Sequence, residues 1–320
     1  MARSSIWKVY IVVGIGLLAF ATSPILVRFA SYAPGLAIAA WRTLFAWIIL
    51  TPIALPRIRP ELRRFGKREW VLVVAAGVLL ALHFILWIES LYFTSVASAS
   101  VLVSSSPIFL ALLGYIFLKE KPSLRTLVAI GMAVIGAILL NWGDLQQGAF
   151  PEAWWGNLLA VIAALFFSFY ILIGRVIRQK TSWLGYVYPL YSVVAFTAVG
   201  IALFRHIPLY PYPWTFYLIC LLLALGPQIL GHGSFNYAVK YLPAALLGLL
   251  TLVEPVLASA FAWILFDEVP SLVALLGMGL ILFAIGLALL PYPQRESRRS
   301  PGTPEENVGE EAPRNGVGSG

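Results

Sequence analysis

The chain has 320 residues, of which 60% are hydrophobic and only 11% charged, at a mean hydropathy of +0.88. That is more apolar surface than a soluble core of this size hides, so the chain belongs in lipid. Its formal net charge of +8 does not point to nucleic acid, because the basic residues sit in short gaps between apolar stretches rather than on one amphipathic face with interleaved aromatics.

A helix needs about 20 apolar residues to cross the hydrocarbon layer. Segmentation on that length gives ten spans, at 9–30, 34–54, 70–91, 94–118, 123–141, 154–177, 183–204, 214–238, 242–266 and 271–290. The opening MARSSIWK runs into an apolar stretch too long for a signal-peptide core, and residues 19 to 23 make a poor cleavage site, so a retained first span is expected. Of the 22 Lys and Arg residues, 19 lie before the first span, after the tenth, or in alternate gaps and the span ends that border them. Positive residues stay on the cytoplasmic side, which predicts an even number of spans, both termini cytoplasmic, and a multi-pass protein of a plasma membrane.

Polar groups inside spans are costly and by default mark sites. In the second span, Arg42 lies about 12 Å below the outer surface at 1.5 Å per residue; it either receives a substrate carboxylate or pairs with Glu89 while its head reaches outward. The third span carries His83 and Trp87 four residues apart, with Glu89 near its end. In the fourth, Ser95, Ser98, Ser100, Ser104, Ser105 and Ser106 read as small residues for close helix packing, and Pro107 removes the N–H that the carbonyl of Val103 would bind. The sixth span holds the aromatic cluster Phe166, Phe167 and Tyr170. The eighth contains Cys220 and is broken by Gly226-Pro227; beyond the break, Gln228, His232 and Asn236 recur every four residues, on one helical face. In the ninth, Glu254 lies about 18 Å deep, near the midplane, as a proton carrier, as the partner of a substrate ammonium, or as a protonated structural acid. Pro255 follows it. Interface aromatics such as Trp70, Tyr92, Trp154, Trp183 and Trp214 mark span ends. The tail from Pro291, rich in Pro, Gly, Glu and Arg, is expected to be disordered.

The most specific pattern is a duplication. PIFLALLGYIFLKEKPSL at 107–124 aligns with PVLASAFAWILFDEVPSL at 255–272 at an offset of 148, and Gly131 falls on Gly279. The organisation predicted is a first five-helix repeat at 1–148, a second at 149–291 and a tail at 292–320. Because five is odd, the second copy enters the membrane inverted. The loss of positive charge between Lys119-Glu120-Lys121 and Asp267-Glu268-Val269 agrees with that. The fold class is therefore an all-α polytopic membrane protein, ten transmembrane helices as two inverted five-helix repeats, with a substrate site at the seam near mid-bilayer. Pro107 and Pro255, at matching depth, are the expected hinges. The residues expected to contact cargo are His83, Trp87, Phe166, Tyr170, Gln228, His232, Asn236 and Glu254, a mixture of aromatic walls and sparse polar groups suited to a small molecule. The three histidines are scattered, no phosphate loop or nucleophile elbow occurs, and one cysteine cannot form an internal disulfide. No enzyme activity, metal or cofactor is expected; the partners are a small-molecule substrate and the bilayer, with a monomer or weak homo-oligomer.

Three segments carry a resemblance: PGLAIAAWRT, with Pro34 and Arg42; TSVASASVLVSSSPIFLALLGYIFLKEKPS; and PAALLGLLTLVEPVLASAFAWILFDEVPS. Across about residues 7 to 290 the chain resembles the drug/metabolite transporter superfamily of EamA type and, within it, YddG-type exporters of aromatic and other amino acids. The resemblance implies a basket of ten helices in a bacterial inner membrane that moves small metabolites outward. The first span departs from many members in reading FATSPIL where they carry a tryptophan.

Overall fold

The computed structural model describes residues 3–94, 96–140, 142, 152–266 and 269–290. The expectations placed on Ser95, Asp267, Glu268 and the tail lie outside the described residues, as do the side chains of Ser98 and Ser100. The helices are α1 (Arg3–Ala21), α2 (Ser23–Phe29), α3 (Gly35–Leu62), α4 (Lys67–Phe93), α5 (Val96–Val103), α6 (Ser106–Leu118), α7 (Leu124–Leu140), α8 (Ala153–Ile177), α9 (Trp183–Phe204), α10 (Trp214–Leu223), α11 (Gly233–Ala238), α12 (Ala244–Thr251), α13 (Val253–Phe266) and α14 (Leu272–Leu289). A π-helical stretch, Ala224–His232, joins α10 to α11. Nine stretches among the described residues are long and apolar enough to cross a bilayer, and α7 is a shorter apolar helix of 17 residues.

The duplication read from one motif extends through every span. Adding 148 to α5 gives 244–251, the bounds of α12; adding it to α7 gives 272–288, against 272–289 for α14. The same shift carries α3 and α4 to starts at 183 and 215, against 183 for α9 and 214 for α10. Even the interruption is repeated: the break between α5 and α6 at Ser104 and Ser105 falls on the break between α12 and α13 at Leu252.

Packing obeys the same symmetry. The third span packs on the sixth and the eighth on the first, contacts that exchange when each span is replaced by its counterpart five along. The second and seventh spans, the fifth and tenth, and the fourth and ninth pair with one another, each contact being its own counterpart. An axis relating two odd-numbered bundles in this way lies in the membrane plane.

Close approach at the symmetric contacts depends on small residues. A Cβ on Gly277 would stand 2.5 Å from the carbonyl oxygen of Gly136 and 2.5 Å from the amide nitrogen of Leu140, so α7 and α14 touch backbone to backbone. Interhelical contact in lipid gains little from the hydrophobic effect and depends on such proximity. The outer faces carry exposed Leu112, Phe117, Phe204, Leu275 and Phe283, an apolar surface that suits acyl chains and not water.

Candidate functional site

Among the described residues four spans are interrupted, and in three of them a hydroxyl side chain bonds back to a carbonyl at the break. In the first span, Thr22 separates α1 from α2 ahead of Pro24, and its Oγ1 donates to the carbonyl of Ala19 at 2.7 Å. In the fourth, Ser105 Oγ donates to Leu102 O at 2.5 Å, with Pro107 in the first turn of α6. In the ninth, Thr251 Oγ1 donates to Gly248 O at 2.6 Å, just before Glu254 and Pro255. The carbonyls that Pro24, Pro107 and Pro255 free, four residues earlier, are those of Phe20, Val103 and Thr251, so these hydroxyl bonds satisfy other carbonyls of the broken turns. The eighth span widens into a π-helix around Pro227, where Tyr191 Oη donates to the carbonyl of Gln228 at 2.6 Å.

All four interruptions meet at one cavity of about 70 Å³. Phe20 and Ser23 line it from the first span, Val103, Ser104 and Ser106 from the fourth, Pro227 and His232 from the eighth, and Thr251 and Glu254 from the ninth. The unbroken helices add Arg42, His83, Phe84, Trp87 and Phe167. Irregular backbone at membrane depth is tolerated where it borders a cavity or is buried in protein.

His83 Nδ1 lies 2.9 Å from the carbonyl oxygen of Ala163. A carbonyl only accepts, so Nδ1 carries the proton. His232 is held through Nδ1, 3.1 Å from Tyr170 Oη. Its ring meets Phe20 and Phe84 edge-on, at centroid distances of 4.7 and 4.8 Å. Arg42 is 1% exposed. Its Nε donates to Gln228 Oε1 at 3.3 Å, and its guanidinium carbon stands 4.2 Å above the centroid of Phe84. Such a cation–π contact is worth up to about 2 kcal/mol when desolvated, which offsets only part of the cost of a buried cation.

Of the eight residues expected to contact cargo, His83, Trp87, His232 and Glu254 line the cavity. Tyr170 and Gln228 stand one layer back, bonded to His232 and Arg42 respectively. Asn236 is fully buried near the hydroxyls of Tyr170 and Tyr191, with neither amide atom in hydrogen-bonding geometry to a described residue. Phe166 is half-buried and does not line the cavity; its neighbour Phe167 does. The expected pair of Arg42 and Glu89 does not form. Glu89 sits against the start of α3, its Oε1 3.3 Å from where a Cβ on Gly35 would stand, in a separate cavity with Pro34, Tyr92, Trp155 and Arg205. Arg42 turns instead to the eighth span. Ser104 and Ser106, read as packing residues, border the cavity, and Phe20 and Phe84 join it without any polar signal in the sequence.

The chain matches the model of the EamA-like transporter family twice, over residues 7–142 and 154–290. It is 24% identical over 238 residues to the uncharacterized transporter YetK of Bacillus subtilis, covering 72% of this chain and 71% of that protein. It is 27% identical over 233 residues to the uncharacterized transporter PA0485 of Pseudomonas aeruginosa, covering 72% and 74%. A shorter match, 30% identical over 127 residues, links 40% of the chain to 30% of a probable sugar phosphate/phosphate translocator of Arabidopsis thaliana. One crystal structure shares the fold at a TM-score of 0.73 and 20% identity, covering 90% of this chain and 98% of its own. A doubled family match, on a bundle whose broken helices surround one cavity, makes this a membrane transporter: the chain belongs to the EamA-like transporter family.

Proposed function

We propose that this transporter exports small metabolites, chiefly aromatic or other neutral amino acids, across a bacterial inner membrane by alternating access, with both termini in the cytoplasm. The observation that carries the reading is the convergence of four interrupted helices on one aromatic-walled cavity that holds an acid, two histidines and an arginine. Interrupted helices supply the freedom to open the two ends in turn. Glu254, half-buried and facing the cavity, is the partner for a substrate ammonium. His83 and His232 offer neutral polar contacts between the rings, and Trp87 with Phe167 encloses the side chain. Tyr170, Gln228 and Asn236 support these groups from behind.

Reconstitution into liposomes with amino-acid counterflow tests the reading. Alanine at His83, at His232 or at Glu254 lowers flux at least tenfold while the purified protein stays folded. Unchanged flux in all three variants removes this cavity as the route, and no flux of any solute in the wild type reduces the chain to a membrane scaffold.

A further inference from the structure

We infer that Arg42 is the receptor for the substrate carboxylate, so that the central cavity takes an amino acid rather than a cationic drug. The inference rests on the central cavity being the transport site.

Arg42 is only 1% exposed, yet it makes no ion pair among the described residues. Its one hydrogen bond there is from Nε to the neutral amide oxygen of Gln228. The guanidinium carries five N–H donors in a planar fork, so the four on Nη1 and Nη2 have no acceptor among the described residues. The guanidinium carbon stands 4.2 Å above the centroid of the Phe84 ring, which holds the group on that side. The side chain borders the cavity. A planar fork held over an aromatic ring, with two nitrogens that have no acceptor among the described residues, can take a carboxylate through two parallel bonds.

The opposite charge is close by. Glu254 borders the same cavity from the ninth span, in the other repeat. A zwitterion placed between them neutralises both, with its carboxylate on the first half and its ammonium on the second. A simple amine or a cationic drug satisfies Glu254 and leaves the guanidinium unpaired, so the site discriminates against it.

The test is thermal unfolding of the purified protein in detergent with L-alanine, L-threonine, L-phenylalanine, ethylamine, L-alaninamide, propionate and glycerol 3-phosphate as probes, since a ligand of the folded state raises its melting temperature. Alanine, threonine and phenylalanine are expected to stabilise the wild type, propionate less, and ethylamine and alaninamide not at all. Arg42→Met, which keeps bulk and loses charge, is expected to cut the apparent affinity for alanine at least tenfold, and Arg42→Lys to recover part of it. Should Arg42→Met fail to fold, the wild-type comparison of alanine with alaninamide still decides. Equal stabilisation by alaninamide, a full alanine response in Arg42→Met, a response to glycerol 3-phosphate alone, or none to any probe would overturn the inference. The transport reading falls separately, on absence of flux in liposomes.

Discussion

Glu120 and Arg175 join the two repeats at one end of the bundle, with Arg175 Nε 2.8 Å from Glu120 Oε1. The carboxylate also accepts the N–H of Ala244, at the start of α12, at 3.3 Å. Arg175 Nη1 donates to the carbonyls of Val239 and Lys240, at 2.8 and 3.1 Å. One turn of the first repeat is thereby tied to the end of the sixth span and to the loop between the eighth and ninth, all in the second repeat. An opening of the bundle at this end must break these bonds.

Glu120→Gln is therefore expected to favour that opening. The two side chains are 21% and 27% exposed, so the pair lies between a surface bridge and a buried one, and its loss costs about 1–2 kcal/mol. A shift of that size changes the ratio of two conformations by about five- to thirtyfold. A cysteine placed at Ser123, beside the crevice lined by Glu120 and Arg175, should then react faster with a membrane-impermeant maleimide. An unaltered labelling rate would show that this contact does not hold the end closed.

The glycine contact between α7 and α14 gives a prediction with its own control. A methyl on Gly277 meets backbone atoms of Gly136 and Leu140 at 2.5 Å, and backbone cannot turn aside as a long side chain can. Gly277→Ala is expected to cost about 1–3 kcal/mol, the range for overpacking, read as a lower melting temperature in detergent. Gly131→Ala and Gly279→Ala, whose Cβ atoms would meet nothing within 4 Å, should melt at or slightly above the wild-type temperature. Equal effects at all three positions would refute the close crossing.

Asn236 separates packing from function. Its amide is fully buried and hydrogen-bonded to no described residue, and an apolar group of similar shape removes the desolvation cost of such atoms. Asn236→Leu should be as stable as the wild type or more so, by about 1 kcal/mol, and should lose transport. A stabilised variant with full flux would assign this residue no part in the cavity.

How far the sequence could be read follows from the periodicities available. The offset of 148, taken from one turn and its flanking helices, predicts the bounds of α5, α7, α12 and α14 to within a residue, because covalent length sets where each copy begins. The irregular eighth span was legible from Gly226-Pro227 for the same local reason. Faces were legible only where polar residues mark them, as Gln228, His232 and Asn236, all buried, do in the eighth span. Elsewhere a helix in lipid is apolar on its outer side as well as its packed side, so it carries no polar stripe to tell which way it points. Phe166 and Phe167 differ by one step of rotation, and only packing of the sixth span against the third brings Phe167 inward. The choice of Gln228 over Glu89 by Arg42 joins residues 186 apart in sequence, beyond the reach of any local pattern.

The prolines carry the last expectation. Pro107 and Pro255 follow the breaks in the fourth and ninth spans at equivalent places, and both breaks border the cavity through Val103, Ser104 and Thr251. Restoring an N–H at 107 by Pro107→Ala lets the chain rebuild a bond to the carbonyl of Val103, and Pro255→Ala does the same toward Thr251. A continuous helix is stiffer and gains the backbone hydrogen bond that proline forbids, so it is more stable wherever the bend is not fixed by neighbours. If the breaks are hinges, the double variant melts higher than the wild type but transports several-fold more slowly, because the ends of both helices no longer swing independently of their cavity-facing halves. If they are fixed bends, packing around Leu110 and Gly248, where a Cβ on Gly248 would come within 2.6 Å of Leu110 Cδ1, keeps both helices bent and turnover is unchanged. Turnover in liposomes measured beside melting temperature distinguishes these outcomes, since stiffening alone raises one as it lowers the other.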